Sequence, residues 1–176
     1  MIVYFLRHAN AGQKRMNPIQ DEKRPLDKEG IEQCRYVGRW LSSQDTHVDL
    51  ILSSPLKRAT QTASMVGNEI AYEQKIELNA SLRPSAAFEG FRDLLHRLTG
   101  LEAVMVVGHN PNMSRFLSLL VTGGLSERAI EMKKGSVARV EMGSKRSVLS
   151  WLVTPRVIKS AYSSAQMSSR PNTSEK

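Results

Sequence analysis

A single α/β layered domain is what this sequence predicts, and three observations predict it. Short apolar runs such as Ile2 to Leu6 and Ala103 to Val107 alternate with segments whose apolar residues recur every three or four positions. The 176 residues suffice for one domain with a full core, and two domains would be cramped. No internal repeat and no apolar stretch of membrane-spanning length breaks this pattern.

Taken in order, Ile2 to Leu6 reads as a buried strand that ends on Arg7-His8. Gly12 to Lys28 is polar, carries Pro18 and Pro25, and reads as loop. Asp27 is placed to cap a helix running to about Ser42, with Ile31, Cys34, Val37 and Leu41 on one face. Val48 to Leu52 is a second strand. Pro55 then suits a first helical turn, and Ala59, Ala63, Val66 and Ile70 mark the buried face of that helix. Lys75 to Leu82 is a weaker strand, and Phe88 to Leu98 a helix with Phe91, Leu94, Leu95 and Leu98 as its stripe. Ala103 to Val107 is the most apolar strand and ends on Gly108-His109-Asn110-Pro111. A helix through Leu117 to Val121 closes at Gly123-Gly124. Val137 to Met142 and Val148 to Val153, joined at Gly143-Ser144, form an antiparallel pair. The domain is expected over residues 1–158. Residues 159–176, rich in Ser, Asn, Pro and charge, are expected to be a disordered tail.

Composition narrows the function classes. The formal charge is +8, most of it ahead of the tail, which favours anionic partners such as phosphate esters or acidic proteins. Aromatics are only 6% and scattered, so no stacking stripe for single-stranded nucleic acid is present, and nucleic acid is not an expected partner. The N-terminus has neither a basic leader nor a cleavage site and reads as a first strand. The single cysteine, Cys34, rules out an internal disulfide and suits a reducing compartment, so a cytoplasmic location away from membranes is expected.

Three strand ends carry the chemistry. In an open α/β sheet, ligands bind outside the carboxyl ends of the strands. The first such end supplies Arg7-His8, the second Ser53-Ser54-Pro55-Leu56-Lys57-Arg58, and the third Gly108-His109-Asn110. Two arginines and two histidines above one sheet edge can clamp a phosphoryl group, because each guanidinium offers a planar fork and an imidazole can donate to a remaining oxygen. His47 lies in a polar loop and His96 on the charged side of a helix, and neither matches a motif. The histidines and the cysteine show no metal-ligand spacing, so neither metal nor cofactor is expected.

With these blocks in view, "LRHANA", "RPLDKEG", "LILSSPLKRATQTA" and "VVGHNP", the chain resembles the histidine phosphatase superfamily over roughly residues 1–155. Within it, the chain is similar to the short, bacterial-type phosphohistidine phosphatases. The resemblance implies one phosphoglycerate mutase-like three-layer domain, a mostly parallel sheet with helices on both faces. It also implies roles by position: His8 as the nucleophile, Arg7 and Arg58 on the phosphoryl oxygens, and His109 completing the pocket. Arg24, in the "RPL" block, either reaches the substrate or pairs with an acid to hold its loop.

Two departures from the family pattern stand out. Ala9 replaces the glycine of the Arg-His-Gly signature, which would strain the backbone if that position needed a positive φ. Broader superfamily enzymes carry a carboxylic acid after the third strand, whereas "ELNASLRPSAAFEG" places Glu77 too early and Glu89 too late for that role. The absence favours a leaving group that departs unaided. A protonated phosphohistidine leaves as neutral imidazole, whose conjugate acid has a pKa of about 6.5, whereas an alcohol must leave as alkoxide. The expected activity is therefore hydrolysis of a phosphoryl group, carried by a phosphohistidine-bearing protein, through a phosphorylated His8. The alternatives are a phosphatase of small phosphorylated substrates using Glu77 or Glu89, and a phosphate-binding module without turnover.

Overall fold

The computed structural model describes residues 1–143 and 146–168. Six strands form one sheet: β1 (Ile2–Arg7), β2 (Leu50–Ser53), β3 (Glu77–Leu78), β4 (Ala103–Gly108), β5 (Val137–Met142) and β6 (Ser147–Val153), in the order β3-β2-β4-β1-β5-β6. β3, β2, β4 and β1 pair in parallel, while β5 runs antiparallel to both β1 and β6. The sheet is mostly parallel, as expected.

Alternation along each strand sends side chains to both faces, and both are covered. Tyr4, Leu6, Ile51, Met105 and Val107 pack on one face with α2 (Lys28–Ser43), α3 (Lys57–Glu69) and Ile158 of α6 (Pro155–Ser168). Val3, Phe5, Leu52, Val104 and Val106 pack on the other with α4 (Phe88–Arg97) and α5 (Asn112–Val121). On that second face the Phe91 ring lies stacked on Phe116 and edge-on to Phe5. This is the three-layer arrangement that the phosphoglycerate mutase-like fold requires.

Asp27 caps α2 through its side chain, which accepts from Gly30 N–H at 2.8 Å. Gly30 is required by a close approach: a Cβ there would lie 1.9 Å from the carbonyl oxygen of Asn10. The start of α2 is thus seated on the segment just after His8. Ile31 faces outward at the exposed margin of this helix, and Gly30 and Gly38 join Cys34, Val37 and Leu41 on its buried side.

Three expectations are corrected. The polar segment 12–28 contains a helix, α1 (Pro18–Glu22), capped by Asn17, whose Oδ1 accepts from Ile19 and Gln20 N–H. Five polar-rich residues are too few to show a helical period, although Asn before Pro is a start signal. The weaker strand at 75–82 shrinks to Glu77–Leu78 followed by a single 3₁₀ turn, Ala80–Leu82, because Asn79 turns the chain with its side chain on Ser81 N–H.

The third correction concerns the boundary at residue 158, which falls inside α6. Residues 159–168 continue that helix instead of opening a disordered tail, and the rest of the expected tail lies outside the described residues. Tyr162 stacks on Tyr36 of α2 at 6.4 Å between ring centroids, and Lys159 reaches both Glu32 and the Tyr36 ring. An apolar pair at four-residue spacing, Ile158 and Tyr162, carries this contact inside a serine-rich composition. Ser144 of the expected β5–β6 turn is likewise outside the described residues. Among the described residues, no helix is long and apolar enough to cross a membrane.

Candidate active site

The parallel neighbours β2, β4 and β1 end side by side, at Ser53, Gly108 and Arg7. Their ladder runs on past the strand ends: His8 N–H donates to Gly108 O and Ser54 N–H to Val107 O, both at 2.9 Å. His8, Ser54 and His109 are therefore held on one edge. Arg58 joins them from the first turn of α3. Together Arg7, His8, Arg58 and His109 line a cleft of about 590 Å³. The four strand-end residues singled out in the sequence are brought together.

His8 is 7% exposed and His109 2%, so the imidazoles sit at the bottom of the cleft and not on an open surface. His8 Nδ1 lies 2.7 Å from the carbonyl oxygen of Ala9. A carbonyl only accepts, so Nδ1 carries the proton and Nε2 keeps its lone pair. Ala9 itself is unstrained: the non-glycine residues with positive φ among those described are Asp45 and Ala71. Its N–H donates to Thr62 Oγ1, which donates in turn to Arg58 O, tying the end of β1 to α3.

The His8 and His109 rings stand 4.9 Å apart between centroids, tilted by 53°. Burial above all, and then the fields of Arg58, Arg7 and Arg24, lower His8 to about 3 despite its hydrogen bond to Ala9. Burial, His8 and the same arginines lower His109 to about 2. Both rings are neutral at neutral pH. His109 Nε2 lies 2.8 Å from Ser54 Oγ, which can donate to it and leave the proton on Nδ1.

The cleft is short of acceptors. Arg7 Nη1 donates to Met132 O and Arg58 Nη1 to Asp21 O, but Arg7 Nε, Arg58 Nε and His109 Nδ1 are buried without a hydrogen-bond partner. Leaving a buried donor unpaired costs about 1–3 kcal/mol, more for charged groups, and an anion bringing several oxygens would recover it. Lys14, Arg15 and Lys134 add positive charge around the same cleft.

Arg24 makes the acid pairing of the loop-holding alternative and also keeps the place at the cleft that the substrate alternative needs. Its Nε donates to Asp21 Oδ1 at 2.8 Å and its Nη1 to Ala11 O at 2.6 Å, while its side chain still lines the cleft. Glu77 and Glu89 are exposed and outside the cleft lining. After β3 the chain instead contributes Arg83, Pro84 and Ser85 to the cleft. The carboxylates among the described lining residues are Asp21 and Glu22 of α1, which sequence reasoning passed over. Both are engaged, Asp21 by Arg24 and Arg58 and Glu22 by Arg83 at 2.7 Å. Their signal was confined to α1 lying next to the "RPL" block. Among the described residues no group of three or more His, Cys, Asp or Glu side chains could hold a metal ion.

A doubly covered α/β sheet with paired histidines and arginines at one strand edge is the setting in which the model of the histidine phosphatase superfamily, branch 1, matches residues 3–83 of this chain. More particularly, the chain is 27% identical to phosphohistidine phosphatase SixA of Escherichia coli K12, over 92% of this chain and 98% of that protein. Among solved structures, protein histidine phosphatase SixA complexed with tungstate superposes with a TM-score of 0.81 at 24% identity, covering 90% of this chain and 99% of that one. The α-ribazole phosphatase of Shigella flexneri shares the fold at a TM-score of 0.72 and 17% identity, with 88% and 97% covered. The fold is thus common to proteins named for different substrates, and the site must decide the chemistry.

Proposed function

We propose that this chain is a phosphatase that removes the phosphoryl group from protein phosphohistidine through a phosphorylated His8. The observation that carries the reading is the His8 Nδ1–H bond to Ala9 O, which leaves a bare Nε2 in a cleft with three buried, unpartnered donors. Similarity to SixA over nearly the whole chain supports a phosphatase.

In this mechanism His8 Nε2 attacks phosphorus and forms the new P–N bond. The substrate's P–N bond breaks, and its ring, protonated on the other nitrogen, leaves as neutral imidazole. Arg7 and Arg58 hold two phosphoryl oxygens while His109 Nδ1–H donates to a third, with Ser54 fixing that tautomer. The positive charge is in place before reaction and need not reorganise. Water then attacks phospho-His8, returning His8 to its neutral form and releasing inorganic phosphate. Neither step needs a carboxylic acid donor, which fits a cleft whose carboxylates are both ion-paired.

A second reading rests on Glu22, a carboxylate in the cleft 2.7 Å from Arg83. Released from Arg83, it could protonate an alkoxide, making the chain a phosphatase of small phosphomonoesters. The deciding experiment compares kcat/KM for a phosphohistidine-carrying protein and an alkyl phosphate, with acid-labile ³²P trapped on the enzyme. The proposal expects preference for phosphohistidine and a label lost in His8→Ala. A better alkyl substrate, or a label that survives His8→Ala, overturns it.

A further inference from the structure

The five-residue helix α1 contributes an acid to a cleft built for an anion. Asp21 has a side chain 11% exposed, and every polar contact it makes is to a basic residue or to backbone. Its Oδ1 accepts from Arg24 Nε at 2.8 Å and from Arg15 N–H at 2.9 Å. Its Oδ2 lies 3.4 Å from Arg58 Nη1, and its backbone oxygen accepts from that same nitrogen at 2.9 Å. Burial alone would raise the Asp21 carboxyl, but the Arg15 N–H, Arg24 and Arg58 outweigh it and hold the group below the usual carboxylate range.

By charge, a carboxylate here opposes binding of a phosphoryl group, so any benefit it brings is geometric. Arg24 and Arg58 repel each other, and Asp21 sits against both. By occupying Arg58 Nη1 from two oxygens it turns the opposite edge of the guanidinium, Nε with Nη2, into the free fork. Arg58 Nε is one of the buried, unpartnered atoms of the cleft. A side-on guanidinium fork matches two phosphoryl oxygens only if its plane is held.

We propose that Asp21 is a positioning residue for the reaction, orienting Arg58 toward the transferring phosphoryl group. The inference rests on the phosphoryl reading of the cleft but not on which phosphoryl donor is the natural one.

The test uses the full chain with vanadate as ligand and an aryl phosphate as substrate. Asp21→Asn should lower kcat/KM by about tenfold or more, the scale of a misplaced binding group, and weaken vanadate binding although a negative charge has been removed. In an Arg58→Ala background the same substitution should cost far less, because its target is already gone. Tighter vanadate binding with unchanged kcat would make Asp21 a mere countercharge, and full additivity with Arg58→Ala would make it general scaffold; either overturns the proposal. If Asp21→Asn has no cooperative melting transition, Asp21→Glu carries the test, since it keeps the charge and displaces the carboxylate by one methylene. Wild-type kinetics in Asp21→Glu overturns the proposal, and a comparable loss that vanishes with Arg58→Ala supports it. A wild-type chain inactive on phosphohistidine but active on the aryl phosphate would sink the proposed substrate while leaving this coupling measurable.

Discussion

His8 Nδ1 donates to the carbonyl oxygen of Ala9, its own neighbour, at 2.7 Å, so the tautomer of the proposed nucleophile is set by one peptide unit of backbone. The residue that departs from the family's glycine is therefore a partner in the site through an atom that every amino acid carries. Its side chain is fully buried and its φ is ordinary, so the substitution costs the site nothing visible.

The first prediction concerns pH. His8 at about 3 and His109 at about 2 lie below their ordinary 6.5, so between those limits the unfolded chain binds more protons than the folded one. Stability is full above pH 6.5 and falls as pH drops toward 3, with a slope of up to about 1.4 kcal/mol per pH unit for each histidine. Ring ¹⁵N shifts should show His8 neutral with Nδ1 protonated at pH 5. An imidazolium signal at pH 5 in phosphate-free buffer would contradict this.

The second concerns the clamp. Arg58→Lys keeps the charge but loses the planar fork, and should lower kcat/KM by about 10²- to 10³-fold, the scale for one preorganised charge donor. Vanadate should inhibit the wild type competitively and Arg58→Lys much more weakly. Equal inhibition constants would place Arg58 outside the reacting geometry.

The third separates the carboxylates. Glu77→Gln and Glu89→Gln should leave turnover on phosphohistidine within about twofold, since both side chains are exposed and away from the cleft. Glu22→Gln breaks an ion pair between α1 and the segment after β3 and should mainly change KM. A drop of about 10²-fold or more in kcat on an alkyl phosphate alone would identify Glu22 as a general acid.

The fourth concerns α6. Ending the chain after Ile158 removes the Tyr36–Tyr162 stack and the Lys159 contacts. Losing this edge of the core should cost about 2 kcal/mol, or roughly 4–8 °C in Tm for a chain of this size. Calorimetry of the shortened chain checks it; an unchanged Tm would show that the helix adds nothing to the domain.

Arg7, His8, Arg58 and His109 were legible because each sits at the end of a strand or the start of a helix, where a short apolar run announces the element and its neighbours name the terminus. The strands β1, β2 and β4 and the helices α2 to α5 were legible for the same reason: their period is local, written within a dozen residues. Asp21 and Glu22 were not, because α1 is too short to carry a period and its contacts reach Arg58 and Arg83, which are 37 and 61 residues away. Nor could composition show that Tyr162 stacks on Tyr36, since a serine-rich segment is helical only when another surface buries its few apolar side chains. The sequence by itself determined which chemical groups stand at the sheet edge. Only the tertiary structure decided which of their nitrogens are free, because free and spent donors differ by contacts between segments far apart in the chain.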